Sequence, residues 1–134
     1  TLIQGNEHTR YYCRMRMRGI RGAVQLEQDS AEEMIKAVSD LLSQMLTANG
    51  VVTEDLISII LTSTPDLISE FPAVAARKIG LGSVPLLCSV EINVAGALPR
   101  VVRVLMHAHM EKDLAQIKHV YLGGAAVLRK DIAQ

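Results

Sequence analysis

One amphipathic helix set among short aliphatic runs limits this chain to a helix-on-sheet layer. In Asp29-Ser30-Ala31-Glu32-Glu33 a serine stands three residues before a glutamate. That is the pattern of a capping box, whose side chains satisfy free N–H groups at a helix start. Met34, Ile35, Val38, Leu41, Leu42, Met45 and Leu46 then recur on one face, and Asn49-Gly50 supplies the stop. Such a stripe has to be laid against something. The other apolar stretches are short and rich in Val, Ile and Leu, so the partner is a sheet.

Those stretches can be placed in order. Arg14 to Arg18 alternates as RMRMR, which predicts an edge-accessible strand with Met15 and Met17 on its inner face. Gly19 and Gly22 bracket Ile20 and Arg21, allowing a bulge or the close approach of a ligand. A turn at Thr53-Glu54-Asp55 leads into a buried strand, Leu56 to Leu61, with Thr62 to Asp66 as a polar loop at its carboxyl end. Phe71-Pro72 begins a short second helix that Gly80 ends. Val84 to Val90 is a central strand, and the run from Pro99 through Val101, Val102, Val104 and Leu105 toward His109 predicts a third helix. After a polar connection, Met110 to Lys118, the stretches His119 to Leu122 and Ala125 to Leu128 flank Gly123-Gly124 as a hairpin.

The expected architecture is therefore α+β, a mixed β-sheet with helices on one face, in a single domain over residues 14–134. Residues 1–13 are polar and aperiodic and are expected to be a disordered N-terminal extension or an expression remnant. The second sheet face, rich in Val, Leu and Ala, lacks cover within the chain, which predicts association with closed cyclic symmetry.

Composition removes several classes of function. The 134 residues carry 14 basic and 14 acidic side chains, so no global field favours nucleic acid or a membrane surface. Four arginines fall between Arg14 and Arg21, but without interleaved aromatics, which weakens an RNA-binding reading. No apolar run approaches the roughly 20 residues of a membrane span. Cys13 and Cys88 do not form a disulfide framework, so a cytoplasmic location is expected.

The chemistry-bearing residues give no nucleophile–base pair, P-loop or dinucleotide fingerprint. His107 and His109 could share a face only in a strand, and no cysteine nearby supports a zinc site. What remains is Arg21, Arg77, Arg103 and Arg129 beside apolar strands, with Glu91 and Tyr121. That set suits a small polyanion, because arginine offers carboxylates a fixed fork. Glu91 and Arg103 are compatible either with one ligand pocket or with a structural salt bridge. Any catalysis would act through electrostatics and positioning.

Taken in order, Arg18-Gly19-Ile20-Arg21-Gly22-Ala23, Thr64-Pro65-Asp66-Leu67, Phe71-Pro72-Ala73, Val84-Pro85 with Cys88 and Glu91, Arg103, His119-Val120-Tyr121-Leu122 and Val127-Leu128-Arg129 form a specific set. The chain resembles the small monofunctional chorismate mutases of the trimeric α/β class, from about Met17 to Asp131. The resemblance implies a homotrimeric pseudo-α/β-barrel with active sites between subunits and the Claisen rearrangement of chorismate to prephenate, without cofactor or metal. By position, it implies that Arg103 faces the breaking ether bond and a substrate carboxylate, with Arg21 and Tyr121 holding carboxylate and enolpyruvyl groups. Glu91 and Cys88 would bind the ring hydroxyl. Phe71, Ala73 and Leu128 would form apolar walls, and Arg77 and Arg129 would guide the dianion. Val74, Ala97, Pro99 and Lys130 depart from the family pattern. A non-catalytic trimer that binds a small acid is the alternative, but a carboxylate facing a dianionic ligand would not help such a protein.

Overall fold

The long helix begins and ends where its capping residues place it. In the computed structural model, which describes residues 15–129, α1 spans Ala31–Asn49 with Ser30 as N-cap. The Ser30 hydroxyl accepts the Glu33 N–H at 3.2 Å. The reciprocal arm differs from the expected box: the Glu33 carboxylate accepts from the N–H groups of Glu27 and Gln28, at 2.6 and 2.9 Å. It therefore ties down the incoming loop as well as the helix. Gly50 closes the helix at φ 63°, a left-handed conformation that glycine adopts without strain. On the solvent side Lys36 pairs with Asp40 at 2.9 Å. The hydrogen bond and charge of Asp40 hold the Lys36 pKa above its ordinary value.

The strands are β1 (Arg16–Gln25), β2 (Leu56–Ser63), β3 (Leu86–Val90), β4 (Val101–Met110) and β5 (Val120–Leu122). They form one mixed sheet in the order β3-β2-β4-β1-β5. β4 is central and antiparallel to both neighbours, with Arg103 opposite Ala23 of β1 and opposite Thr62 of β2. The edge strands run parallel to their neighbours, β3 to β2 and β5 to β1. The short helix α2, Pro72–Lys78, follows Phe71, with its proline in the first turn as expected.

Met34, Val38, Leu41, Leu42 and Met45 of α1 are buried with Ile20, Val24, Ile59, Leu61, Val102, Val104 and Met106 of the sheet. Each fully buried aliphatic side chain of this size contributes about 1.5–3 kcal/mol. Gly22 makes the layer tight, since a Cβ there would run into the Met45 sulfur. The backbone approach expected at this glycine is thus to the covering helix. The buried face of α2, Ala73, Ala75 and Ala76, completes the same layer.

Five expectations are corrected. Val84 to Val90 is not the central strand: its strand, β3, is Leu86–Val90 at one edge, and β4 takes the centre. The run after Pro99 is the strand β4 and not a helix. Its even positions from Val102 to Met110 are buried, while Arg103, Leu105 and His109 are exposed, a period of two. Gly123–Arg129 is a 3₁₀ run, so Ala125 to Leu128 does not pair back as a hairpin strand. Met17 is 61% exposed and lies on the open side of the sheet, because Ile20, an odd three residues further on and so on the opposite face, takes the core. Thr62 and Ser63 belong to β2 and not to the loop beyond it.

β4 starts from a left-handed residue, Arg100, at φ 53°. Its N–H donates to the Asp66 carboxylate at 2.9 Å and its Nε to the Leu26 carbonyl at 3.0 Å. The Thr64 hydroxyl accepts the Val101 N–H at 3.0 Å. A non-glycine residue in this region costs energy, and these bonds hold it there.

Residues 1–14 and 130–134 lie outside the described residues, and with them the expected N-terminal extension, Cys13, Arg14 and Lys130. No helix among the described residues is long and apolar enough to cross a membrane.

Candidate active site

Strand pairing aligns the principal candidates. Thr62, Arg103, Ala23 and Tyr121 stand side by side on β2, β4, β1 and β5. Cross-strand partners share a face, and this row lies on the face away from the helices. Arg21 is two residues before Ala23 and so shares that face. Arg21, Ala23, Thr62, Arg103, Tyr121 and Leu128 line a cavity of about 300 Å³.

Glu91 reaches this row from the end of β3. Its N–H donates to the Ser63 carbonyl at 2.9 Å, which fixes the backbone just past the strand. Its Oε1 lies 3.3 Å from Arg103 Nε, and its Oε2 accepts from the Thr62 hydroxyl at 2.6 Å. The carboxylate side chain is only 17% exposed, whereas Arg103 is half exposed. Removing one partner would leave a largely buried charge uncompensated, which is costly. The arginine remains able to meet an incoming anion, and its planar fork suits a carboxylate or a developing oxyanion.

Arg21 is held through its main chain, whose N–H donates to His119 Nδ1 at 2.9 Å. His119 precedes β5, so one contact ties the cationic part of β1 to the strand that carries Tyr121. His107, also on the open face, meets the Ser58 hydroxyl through Nδ1 at 3.1 Å. Among the described residues, no three His, Cys, Asp or Glu side chains converge as metal ligands.

The remaining candidates form a second group. Phe71 and Cys88 line a separate cavity of about 340 Å³ with Leu67, Ile68 and Val90. Cys88 pairs with buried Leu61 and is therefore on the helix side of β3. Phe71 is 68% exposed, Ala73 is buried at the start of α2, and Arg77 is exposed on its last turn. One chain thus brings together Arg21, Glu91, Arg103, Tyr121 and Leu128, but not Phe71, Ala73, Arg77 and Cys88 with them. Arg129 ends the 3₁₀ run, and its side chain lies outside those described.

Two contacts were missed by sequence reasoning. Its polar neighbours suggest a loop at Thr62, although Ser58, Ile60 and Thr62 alternate with buried Ile59 and Leu61, and extending that period finds it. His119 as an acceptor for Arg21 has no local signal, because the two are 98 residues apart.

Comparison with known proteins identifies this architecture. Residues 17–132 match the family model for chorismate mutase type I. The chorismate mutase AroH of Thermus thermophilus is 47% identical over 117 residues, 87% of this chain and 96% of that protein. The chorismate mutase AroH of Bacillus subtilis is 39% identical over 120 residues, 89% of this chain and 94% of that protein. A solved chorismate mutase from Clostridium thermocellum superposes with a TM-score of 0.81 at 45% identity, covering 82% of this chain and 98% of that one. On the family match, the extent of the identities and the shared fold, the chain belongs to the chorismate mutase type I family.

Proposed function

We propose that the chain isomerises chorismate to prephenate, in aromatic amino acid biosynthesis, at a site centred on Arg103, Glu91 and Arg21. The observation that carries the site assignment is the placement of the Arg103–Glu91 pair beside Arg21 and Tyr121 on one open sheet face. A Claisen rearrangement needs no covalent intermediate and no proton transfer. Its transition state puts negative charge on the departing ether oxygen and positive charge on the ring. Arg103 donates toward the first, and the Glu91 carboxylate opposes the second, so each acts most strongly as the bond breaks. Arg21 and Tyr121 bind the carboxylate and enolpyruvyl ends. This chain's residues thereby fold the substrate into the reactive conformation and offset charge as it develops.

The working unit of this reading is a cytoplasmic homotrimer. Phe71, Ala73, Arg77 and Cys88 of one copy meet the Arg21–Arg103 group of the next, with Leu128 closing the wall and Arg129 near the mouth. Two features support it. The two groups sit in separate cavities within one chain, and large apolar side chains stand uncovered, Leu87 at 62% and Val90 at 66% exposure.

The test follows chorismate loss in the ultraviolet, together with light scattering at micromolar concentration. Expected are prephenate formation and three times the monomer mass. Chorismate consumption without prephenate, or full activity in a stable monomer, would overturn the reading.

A further inference from the structure

The Thr62 hydroxyl is the closest polar partner of the Glu91 carboxylate, and we propose that Thr62 is the positioning residue that sets the carboxylate's orientation for the reaction. This rests on the assignment of Glu91 to the active site. Glu91 follows β3, where its backbone N–H is held by the Ser63 carbonyl. A glutamate side chain has three rotatable bonds, so an anchored backbone does not by itself aim its oxygens.

Two contacts aim them. Thr62 Oγ1 donates to Oε2 at 2.6 Å, within the short range of charge-assisted hydrogen bonds. Arg103 Nε lies 3.3 Å from Oε1. The difference in length matters because the two partners differ in stiffness. Threonine is β-branched with one restricted torsion, and Thr62 sits inside a strand paired on both sides, to Ser89 and to Arg103. Arg103 is a long, half-exposed side chain that must also meet substrate. The rigid partner therefore holds the carboxylate, leaving the flexible one free to turn toward the ligand. Without Thr62, the Glu91 carboxylate would be oriented by Arg103 alone, and arginine and glutamate would neutralise each other in a closer pair.

The same arrangement occurs twice on β2. Its open face carries Ser58, Ile60 and Thr62. Each hydroxyl there contacts an ionisable side chain, Ser58 with His107 and Thr62 with Glu91.

The test is a cycle of variants with kcat and KM measured separately and folding followed by thermal unfolding. Thr62→Val keeps shape and strand preference and removes the donor. A hydrogen bond to a charged group is worth a factor of about ten to a hundred. Thr62→Val should therefore lose about ten- to a hundredfold in kcat with a smaller change in KM, and Thr62→Ser should recover most of that loss. In a Glu91→Ala background, Thr62→Val should change kcat less than about twofold. The same loss in both backgrounds would overturn the proposal, showing that the hydroxyl acts on substrate directly. Loss of thermal stability at unchanged kcat would overturn it in favour of a purely structural role. Parental kcat in Glu91→Ala alone would instead remove Glu91 from the site, whatever Thr62→Val does.

Discussion

Arg21 and His119 are joined main chain to side chain: the arginine N–H donates to Nδ1 at 2.9 Å. The neutral ring therefore carries its proton on Nε2. A neutral hydrogen bond of this kind contributes about 0.5–1.5 kcal/mol. His119→Ala is expected to lower kcat/KM by a factor of about two to ten, mostly through KM, because Arg21 is assigned to holding substrate. His119→Asn, whose side-chain oxygen can accept in the place of Nδ1, should recover most of it. Steady-state kinetics on the two variants checks this. A His119→Asn variant no better than alanine would show that ring packing, not the acceptor, matters.

Arg103→Ala is expected to lower kcat by about a hundred- to a thousandfold, the loss of a donor aimed at a developing oxyanion, about 3–4 kcal/mol. Arg103→Lys keeps the charge without the fork and should recover only part of that rate. Circular dichroism should show both variants folded, because the Glu91 carboxylate keeps the Thr62 hydroxyl as a donor when Arg103 is replaced. Turnover by Arg103→Ala within about threefold of the parent would refute the assignment.

Gly22→Ala should destabilise the fold. Its Cβ would meet the Met45 sulfur and press on Leu41, both buried. Overfilling a packed layer costs about 1–3 kcal/mol. Denaturant titration should show a lower midpoint with an unchanged slope.

Ser30→Ala removes the oxygen that accepts the Glu33 N–H and should cost about 1 kcal/mol. Glu33→Ala should cost at least as much, because that carboxylate accepts from both Glu27 and Gln28. Thermal unfolding of the two variants tests the order. Ser30→Ala as the more damaging would contradict the extended cap.

The helix α1 was legible because its signals are local: a capping serine, a 3.6-residue stripe and a terminal glycine all lie within its own span. β4 was not. Val101 and Val102 followed by Val104 and Leu105 fit a helical face as well as a pleat, and pairing with β1 and β2 decides between them. The final 3₁₀ run misled for a related reason, since Gly123-Gly124 suits a hairpin only where a second strand has an edge to join. Arg21, Glu91, Arg103 and Tyr121 are singled out in the sequence through the family likeness; strand register puts Arg21, Arg103 and Tyr121 on one face, and Glu91 reaches Arg103 from just past β3. The Thr62–Glu91 bond was hidden because it depends on where β2 ends, and strand ends are weakly marked in sequence.

Arg100, held in its left-handed conformation, also separates the fate of the loop before it from that of the strand after it. The excursion from Glu91 to Pro99 is tied at one end to Ser63 and, through Arg100, to Asp66 at the other. Both anchors belong to the same short stretch at the end of β2 and just beyond. The loop can therefore grow or be rewritten between fixed posts, and doubling its length costs only about 0.6 kcal/mol in closure entropy. A reporter peptide inserted between Ile92 and Leu98 should leave Arg103 where it is.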